Sequence, residues 1–475
     1  MMNEWLLASP IIIASFAAVV ALVVDALTPR SEHITYIFSL GALGIVLCAA
    51  IATVPFTGTA FGSMIRVGGV ASVFDVVFTV GAILTIIASR PYIAARNFEH
   101  DEYYTLVLYA TTGMMLIAHA ENLLITFIGI EVMSLSFYVL AGYFRQTIRS
   151  VESALKYFLL GAFATGFLVF GIALVYGATG SIEFRAIASA LDSNALHFPR
   201  LLPIGIALVI VGLGFKLAVF PFHQWAPDVY DGAPTVVTGF MSTAGKAAAL
   251  SAFIPLALDL FPAAASSVQT VLAVSAAATI IVGNVAAVVQ QRLKRMLAYS
   301  SVAHAGYMLI GLAAGNSRGL SAVVFYAAVY LFMQLGAFII VALLERDIER
   351  SITLSDCSGL SSHYPVLAAL MALFMFSLAG IPPMAGFFGK YYLFASAVEA
   401  GYTWLAVVGV VGSMVSVYYY IGVVVFMYFK EASAEYPSAT VTTAERVPLA
   451  FSAAMVLLFG VAPAMFESLV SSFWK

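Results

Sequence analysis

Runs of about twenty apolar residues, separated by short polar connections, follow one another along this chain and leave it few ways to fold. In hydrocarbon no water can satisfy a backbone N–H or C=O, so each such run must close its own hydrogen bonds as an α-helix. The runs are Trp5–Leu27, Ile34–Val54, Val73–Ala94, Tyr104–His119, Leu123–Tyr143, Ala154–Tyr176 and Leu201–Tyr230, the last one interrupted. After it come Thr235–Leu260, Val268–Val289, Met296–Ala314, Leu320–Leu344, His363–Val398 (also interrupted), Trp404–Phe429 and Val447–Val470. The expectation is an all-α polytopic membrane protein of about fourteen transmembrane helices, with the Tyr104 and Met296 spans the shortest. Only 9% of the residues are charged, far below the share in soluble domains. MMNEW lacks a basic n-region, so no cleavable signal is expected.

Charge placement orients the helices. With the N-terminus outside, the inner connections hold Arg30, Arg90, Arg96, Arg145, Arg149, Lys156, Arg292, Lys294, Arg295, Arg346, Arg350, Lys430 and Arg446. The outer ones hold Arg66, Arg185, Arg200, Arg318 and Lys475, a clear positive-inside bias. Of the 21 Lys and Arg residues, Lys216, Lys246 and Lys390 remain, and all three fall inside spans. A charge at the centre of a span costs about 2.5–3.5 kcal/mol on insertion scales. Lysine can lose its proton when desolvated and arginine cannot. Three titratable cations with no fixed one point to proton handling.

The acids and histidines extend that reading. Glu131 stands in the middle of LLITFIGIEVMSLSFYVL, and an intramembrane carboxylate pairs as a rule with a buried base. Lys216 is its expected partner, either in a pairing that makes and breaks during proton transfer or in a static ion pair that fixes helix packing. His304 lies within a span among small residues, and its intrinsic pKa suits either a relay or a hydrogen-bonded packing role. His223 shares a segment with Lys216 and is a second relay candidate. Lys156 opens its span, where it can snorkel to the surface or hand protons across the bundle. Asp25, Asp75 and Asp259 lie near span ends and are expected to be solvated. His33, His100 and His197 fall in loops and His119 and His363 at span edges, with no role assigned.

Two spans carry interruptions. GLGFKLAVFPFHQWAPDVYDGAP, Gly212 to Pro234, holds Pro221, Pro227 and Pro234 beside Lys216, His223, Asp228 and Asp231. SLAGIPPMAGFFGKYYLF, Ser377 to Phe394, holds Pro382, Pro383 and Lys390. Backbone freed by proline inside a membrane is tolerated only where protein or a water-lined cavity satisfies it. Two interrupted spans in corresponding places indicate inverted repeats and point to the functional site. The expected division is a three-helix segment over 1–100, five-helix repeats over 101–262 and 263–432 that each contain a broken helix, and a C-terminal helix over 433–475. Lys216 precedes its break and Lys390 follows its own, and Lys246 corresponds to a tyrosine-rich stretch, Tyr418–Tyr420.

The sequence holds no Gly-rich phosphate loop, no iron–sulfur cysteine set and no basic patch for nucleic acid. Cys48 and Cys357 lie far apart, and neither a metal site nor a disulfide is expected.

FKLAVFPFHQWAPDVYDGAPT, GIEVMSLSFYVLAGY, ALKYFLLGA, RLKRMLAYSSVAHAGYMLIG and LAGIPPMAGFFGKYYLF together resemble the antiporter-like membrane subunits of respiratory complex I and the Mrp antiporters. The resemblance covers about Tyr104 to Phe429. The VY of HQWAPDVYDGAP, Lys390 and a chain that stops after the last span single out one subunit type within that family. The resemblance implies that Glu131 modulates Lys216, that Lys246 is the central lysine, and that Lys390 faces the exit side or the next subunit. It implies that His304 lies on the central axis and that Lys156 is a bridging lysine. It further implies proton translocation across a bacterial inner membrane, driven by quinone reduction elsewhere. On this reading the chain binds no cofactor itself, and NADH, FMN, iron–sulfur clusters and quinone belong to partner subunits. Its partners would be other membrane-arm subunits, among them a neighbouring antiporter-like subunit and small helical subunits, together with the lipid bilayer. The alternatives are an Mrp-type cation/proton antiporter subunit, or the equivalent subunit of a ferredoxin-linked or hydrogenase-linked complex.

Overall fold

The computed structural model describes residues 4–27, 33–98, 100–193, 195–260, 266–345, 351–431 and 441–474. Arg30, Arg346, Arg350, Lys475 and the side chain of Asp259 lie outside the described residues. The chain opens with α1 (Glu4–Leu7), α2 (Ser9–Leu27) and α3 (Ile34–Thr53), followed by an antiparallel hairpin of β1 (Thr57–Ala60) and β2 (Ile65–Gly68). Next come α4 (Gly69–Ala94), α5 (Glu102–His119), α6 (Leu123–Ala141), α7 (Ile148–Thr179) and the amphipathic surface helix α8 (Phe184–Asp192). The first interrupted span is α9 (Leu201–Leu217) plus α10 (Trp225–Gly232); α11 (Thr235–Phe240) and α12 (Lys246–Pro255) follow, joined by the π-helical turn Met241–Gly245.

The second half repeats this order with α13 (Ser266–Val288), α14 (Leu293–Ala314) and α15 (Ser317–Glu345). After the short α16 (Leu360–His363), the second interrupted span is α17 (Pro365–Ala379) plus α18 (Ala385–Glu399), and α19 (Thr403–Phe429) completes the set. The chain ends in α20 (Thr443–Val461) and α21 (Pro463–Ser471). Among the described residues eleven helices are long and apolar enough to cross a membrane. The other three expected spans are α5 and the two interrupted segments.

Short backbone pairings record the inverted repeat. The Leu123 N–H donates to the Ile182 carbonyl at 3.0 Å and the Phe184 N–H to the Glu121 carbonyl at 3.3 Å. In the second half the Leu293 N–H donates to Ile352 and the Leu354 N–H to Gln291, both at 2.9 Å. Each pair ties the entrance of the second span in its repeat to the exit of the third. The lysine and arginine distribution puts the first pair on the outer face and the second on the inner face.

Each break has a local cause. Ala218 turns into the left-handed region at φ +59°, ahead of Pro221. In the second, Gly380 sits at φ +85°, a conformation glycine adopts without strain, just before Pro382 and Pro383. Small residues set the helix spacing: a Cβ on Gly171 would lie 2.9 Å from the Gly205 carbonyl, so α7 and α9 touch backbone to backbone. The core comprises α11, α12, α14 and α15, whose side chains are buried almost all round.

Candidate functional site

All three in-span lysines are buried: Lys216, Lys246 and Lys390 are 5%, 1% and 3% exposed. Among the described residues none of them has a carboxylate within salt-bridge distance. A buried ammonium held without a counter-charge is costly, so each must be met by dipoles and aromatic faces.

Lys216 lies in the last turn of α9. Its Nζ donates to the Tyr138 hydroxyl at 3.2 Å and sits 5.3 Å from the Tyr138 ring centroid and 5.7 Å from those of Tyr157 and Phe215. The cage is stiff, since Tyr157 stacks on Trp225 at 4.5 Å and the Trp225 indole donates to the Phe215 carbonyl at 2.8 Å. That bond adds a second donor to a carbonyl at the end of α9 that already accepts from the Ala218 N–H at 3.0 Å. The expected Glu131–Lys216 ion pair is not formed. Glu131 instead accepts from the Thr165 hydroxyl at 2.8 Å, on the half-buried rim between α6 and α7. Tyr138, seven residues along the same helix and therefore on the same face, occupies the position expected of the carboxylate.

Lys246 donates to the Ser301 carbonyl at 2.6 Å and lies 5.9 Å from the Tyr230 ring, which in turn packs against Trp225. Next to Ser301, the Ser300 hydroxyl pairs with the Tyr420 hydroxyl. Tyr420 lies 2.9 Å from His304 Nε2, and Tyr326 lies 2.7 Å from His304 Nδ1. The histidine is thus clamped between two phenols.

Lys390, on α18, donates to the carbonyls of Leu378 and Ala379 at 3.0 Å each and to the Ser413 hydroxyl at 2.8 Å. It therefore caps the C-terminal end of α17, where the helix dipole presents partial negative charge. Its Nζ lies 4.9 Å from the Tyr307 ring, and Asn284 links the Tyr307 and Tyr419 hydroxyls at 3.1 and 2.9 Å. Lys216 and Lys390, mismatched in the sequence, both sit at the C-terminal end of the first half-helix of their break, Lys216 within its last turn and Lys390 donating to it from the second half-helix.

The remaining candidates are placed differently. His223 is buried in the first break with its ring stacked on Phe220, Nδ1 has no partner, and no hydrogen bond joins it to Lys216. Lys156 is 42% exposed in its side chain and pairs with Glu152 at 2.7 Å and Asp228 at 3.0 Å. It belongs to a charged surface pocket with Arg149, Arg292 and Arg295, not to the buried row. Lys294, expected in an inner connection, is buried in the first turn of α14 and donates to the Ala233 carbonyl at 2.5 Å.

Asp75, expected to be solvated near a span end, is fully buried and lies 2.8 Å from His119, a residue given no role. The hairpin β1–β2 folds over this end of α4 and α5 and shuts out the solvent that residue counting had placed there.

The sequence marks Tyr418–Tyr420 as the stretch corresponding to Lys246 but gives no role to the phenols and amides between the lysines. A lone Asn284 in an apolar span and Tyr138 on the Glu131 face were readable signals, whereas Tyr326 and Tyr420 are indistinguishable in sequence from packing tyrosines.

Residues 120–416 match the family described as NADH:quinone oxidoreductase/Mrp antiporter, transmembrane. NADH-quinone oxidoreductase subunit N 1 of Chloroherpeton thalassium is 44% identical, over 98% of this chain and 97% of that protein. A chain of respiratory complex I from Thermus thermophilus superposes with a TM-score of 0.84 at 34% identity, covering 97% of this chain and 99% of that one. A chain of the Mrp complex from Dietzia sp. DQ12-45-1b reaches 0.86 at 23% identity over 99% and 97%, a likeness of fold alone. The chain belongs to the NADH:quinone oxidoreductase/Mrp antiporter membrane family and, within it, to the NADH-quinone oxidoreductase subunit N group.

Proposed function

We propose that this chain moves protons through the row Lys216, Lys246, His304 and Lys390 as a membrane-arm subunit of an NADH-quinone oxidoreductase in a bacterial inner membrane. The observation that carries this reading is the burial of three lysines without a carboxylate among polar groups that accept from an ammonium and also exchange protons. An amine in such a place is poised between charged and neutral forms, because burial disfavours charge while phenols and carbonyls stabilise it. Glu131 modulates Lys216 through Tyr138 and not by direct contact. His304 passes a proton between Tyr326 and Tyr420, using both ring nitrogens. His223 is the nearest buried base in the first break, and Lys156 with Asp228 marks the inner mouth. NADH, FMN, iron–sulfur clusters and quinone belong to partner subunits, so the energy arrives through contacts with a neighbouring antiporter-like subunit and small helical subunits.

The test is NADH-driven proton uptake by inverted membrane vesicles, wild type against Lys216→Ala, with assembly and NADH oxidation measured in the same preparation. Loss of uptake in an assembled complex is the expected result. Uptake at the wild-type rate would demote the row to structure. Sodium movement driven by a proton gradient, in vesicles holding this chain alone, would favour the antiporter reading.

A further inference from the structure

Asp75 and His119 stand apart from the lysine row, yet both are fully buried, with His119 Nε2 2.8 Å from Asp75 Oδ2. On the other side of the ring, His119 Nδ1 lies 2.5 Å from the Arg66 carbonyl. A carbonyl oxygen only accepts, so Nδ1 carries a hydrogen in every state that keeps this contact. The line between Oδ2 and Nε2 then holds one proton. It rests either on Asp75 beside a neutral imidazole or on an imidazolium beside a carboxylate, and the dyad is neutral in both.

The second oxygen of the carboxyl is the informative one. Asp75 Oδ1 is buried without a hydrogen-bond partner, and so is Thr79 Oγ1, one turn further along α4. Residues at i and i+4 share a helix face, so the two oxygens stand in a row directed from the dyad toward the membrane interior. Buried polar atoms left unpaired by protein are where ordered water binds. α4 also packs against the segment that leads into Lys246: on a neighbouring face, a Cβ on Gly81 would sit 3.4 Å from the Ala244 Cβ, and Ala244 precedes Lys246 by two positions. From Asp75 to Gly81 is about 9 Å of helix. In the opposite direction lies the Arg66–Glu121 ion pair, 2.5 Å, and Arg66 lines a surface cavity of about 520 Å³ shared with Arg185. Both arginines are on the face that the lysine and arginine distribution turns outward.

We infer that Asp75 and His119 form a proton station on the outward half of the path, filled from the side of Lys246 and emptied toward Arg66 and Glu121. This rests on the proton-translocating reading above. One proton taken up at Oδ1 gives the dyad a single positive charge; the imidazolium then leaves the Arg66 carbonyl, loses its Nδ1 proton to water beside Arg66 and Glu121, and a ring flip returns an N–H to the carbonyl, leaving the dyad neutral. No electrons move. Glu121 and Arg66 face the dyad from the hairpin side, and α12, which carries Lys246, packs on α4 from the interior side.

The experiment is proton uptake by inverted vesicles holding the assembled complex, with NADH oxidation measured alongside, for Asp75→Asn and Lys216→Ala. An asparagine amide donates to Nε2 while Nδ1–H stays on the Arg66 carbonyl, so this variant keeps the hydrogen bonds of the neutral dyad without a transferable proton. It is expected to assemble, to lose uptake to the level of Lys216→Ala, and to regain part of it in Asp75→Glu. Wild-type uptake in assembled Asp75→Asn, with Lys216→Ala impaired, overturns the station and leaves the lysine row standing. Wild-type uptake in both variants overturns the proton-translocating reading itself. If Asp75→Asn does not assemble, the doubly apolar Asp75→Leu/His119→Leu decides, since buried ion pairs are often replaceable by apolar groups. Assembly with uptake lost supports the station. Assembly with uptake intact, or no assembly again, assigns the pair to packing and overturns it.

Discussion

At the scale of single residues, tyrosines meet each lysine of the row and hold His304. His304 has both ring nitrogens engaged, by Tyr326 at 2.7 Å and Tyr420 at 2.9 Å. Tyr326→Phe or Tyr420→Phe leaves one buried nitrogen without its partner, a cost of about 1–3 kcal/mol. If the ring carries protons, either variant also lowers proton uptake per NADH oxidised. A packing role predicts the stability loss alone, so uptake and thermal stability measured on the same preparation separate the two. The lysines themselves were legible in the sequence because a charge in hydrocarbon is rare and expensive. The tyrosines were not: 23 of them occur here, and a phenol packs as readily as it hydrogen-bonds. Asp75 was misjudged for a different reason. Its distance from the span end is a count along the chain, whereas its burial is decided by a hairpin that closes over that end. Direct contact was expected between Glu131 and Lys216, and the phenol of Tyr138 meets the ammonium instead.

At the scale of elements, the two breaks were readable from Gly and Pro, and so was their correspondence between repeats. What capped them was not readable. In the first, the Trp225 indole donates to a carbonyl of α9, and in the second the Lys390 ammonium donates to two carbonyls of α17. On the proposed function Lys390 therefore has two separable duties, one geometric and one chemical. For Lys390 to give up its proton and turn away, the end of α17 must lose its cap, which couples protonation to the shape of the break. Lys390→Arg keeps a cation over the carbonyls but cannot be deprotonated. It is expected to assemble and yet to block NADH-driven proton uptake. Lys390→Met should instead weaken assembly, because the buried Leu378 carbonyl loses its donor while that of Ala379 keeps only the Ser413 hydroxyl at 3.2 Å. Quantifying assembled complex and uptake for both variants tests the assignment, and pumping at the wild-type rate in Lys390→Arg would sink it.

At the scale of the whole molecule, Glu131 is out of place for a protein surrounded by lipid. It is half-buried on a face where Leu135, Leu159 and Phe163 of the same two helices are exposed. A carboxylate at mid-span against hydrocarbon is costly, and the Thr165 hydroxyl satisfies only one of its acceptor sites. The inexpensive solution is a protein neighbour over this face, in keeping with membrane-arm partners. On the proposed function, such a neighbour would reach Lys216 through Glu131 and Tyr138, which share one helix face, since Tyr138 holds the ammonium. A spin label at Leu135 in the assembled complex is then expected to be shielded from lipid-dissolved oxygen. A label at Phe16, exposed on α2 at the other end of the sequence, serves as the comparison. Equal oxygen access at both positions would show that lipid covers the Glu131 face, and coupling would have to enter by another route. Shielding at Leu135, together with loss of uptake in Glu131→Gln, would make this rim the point where the chain receives its driving force.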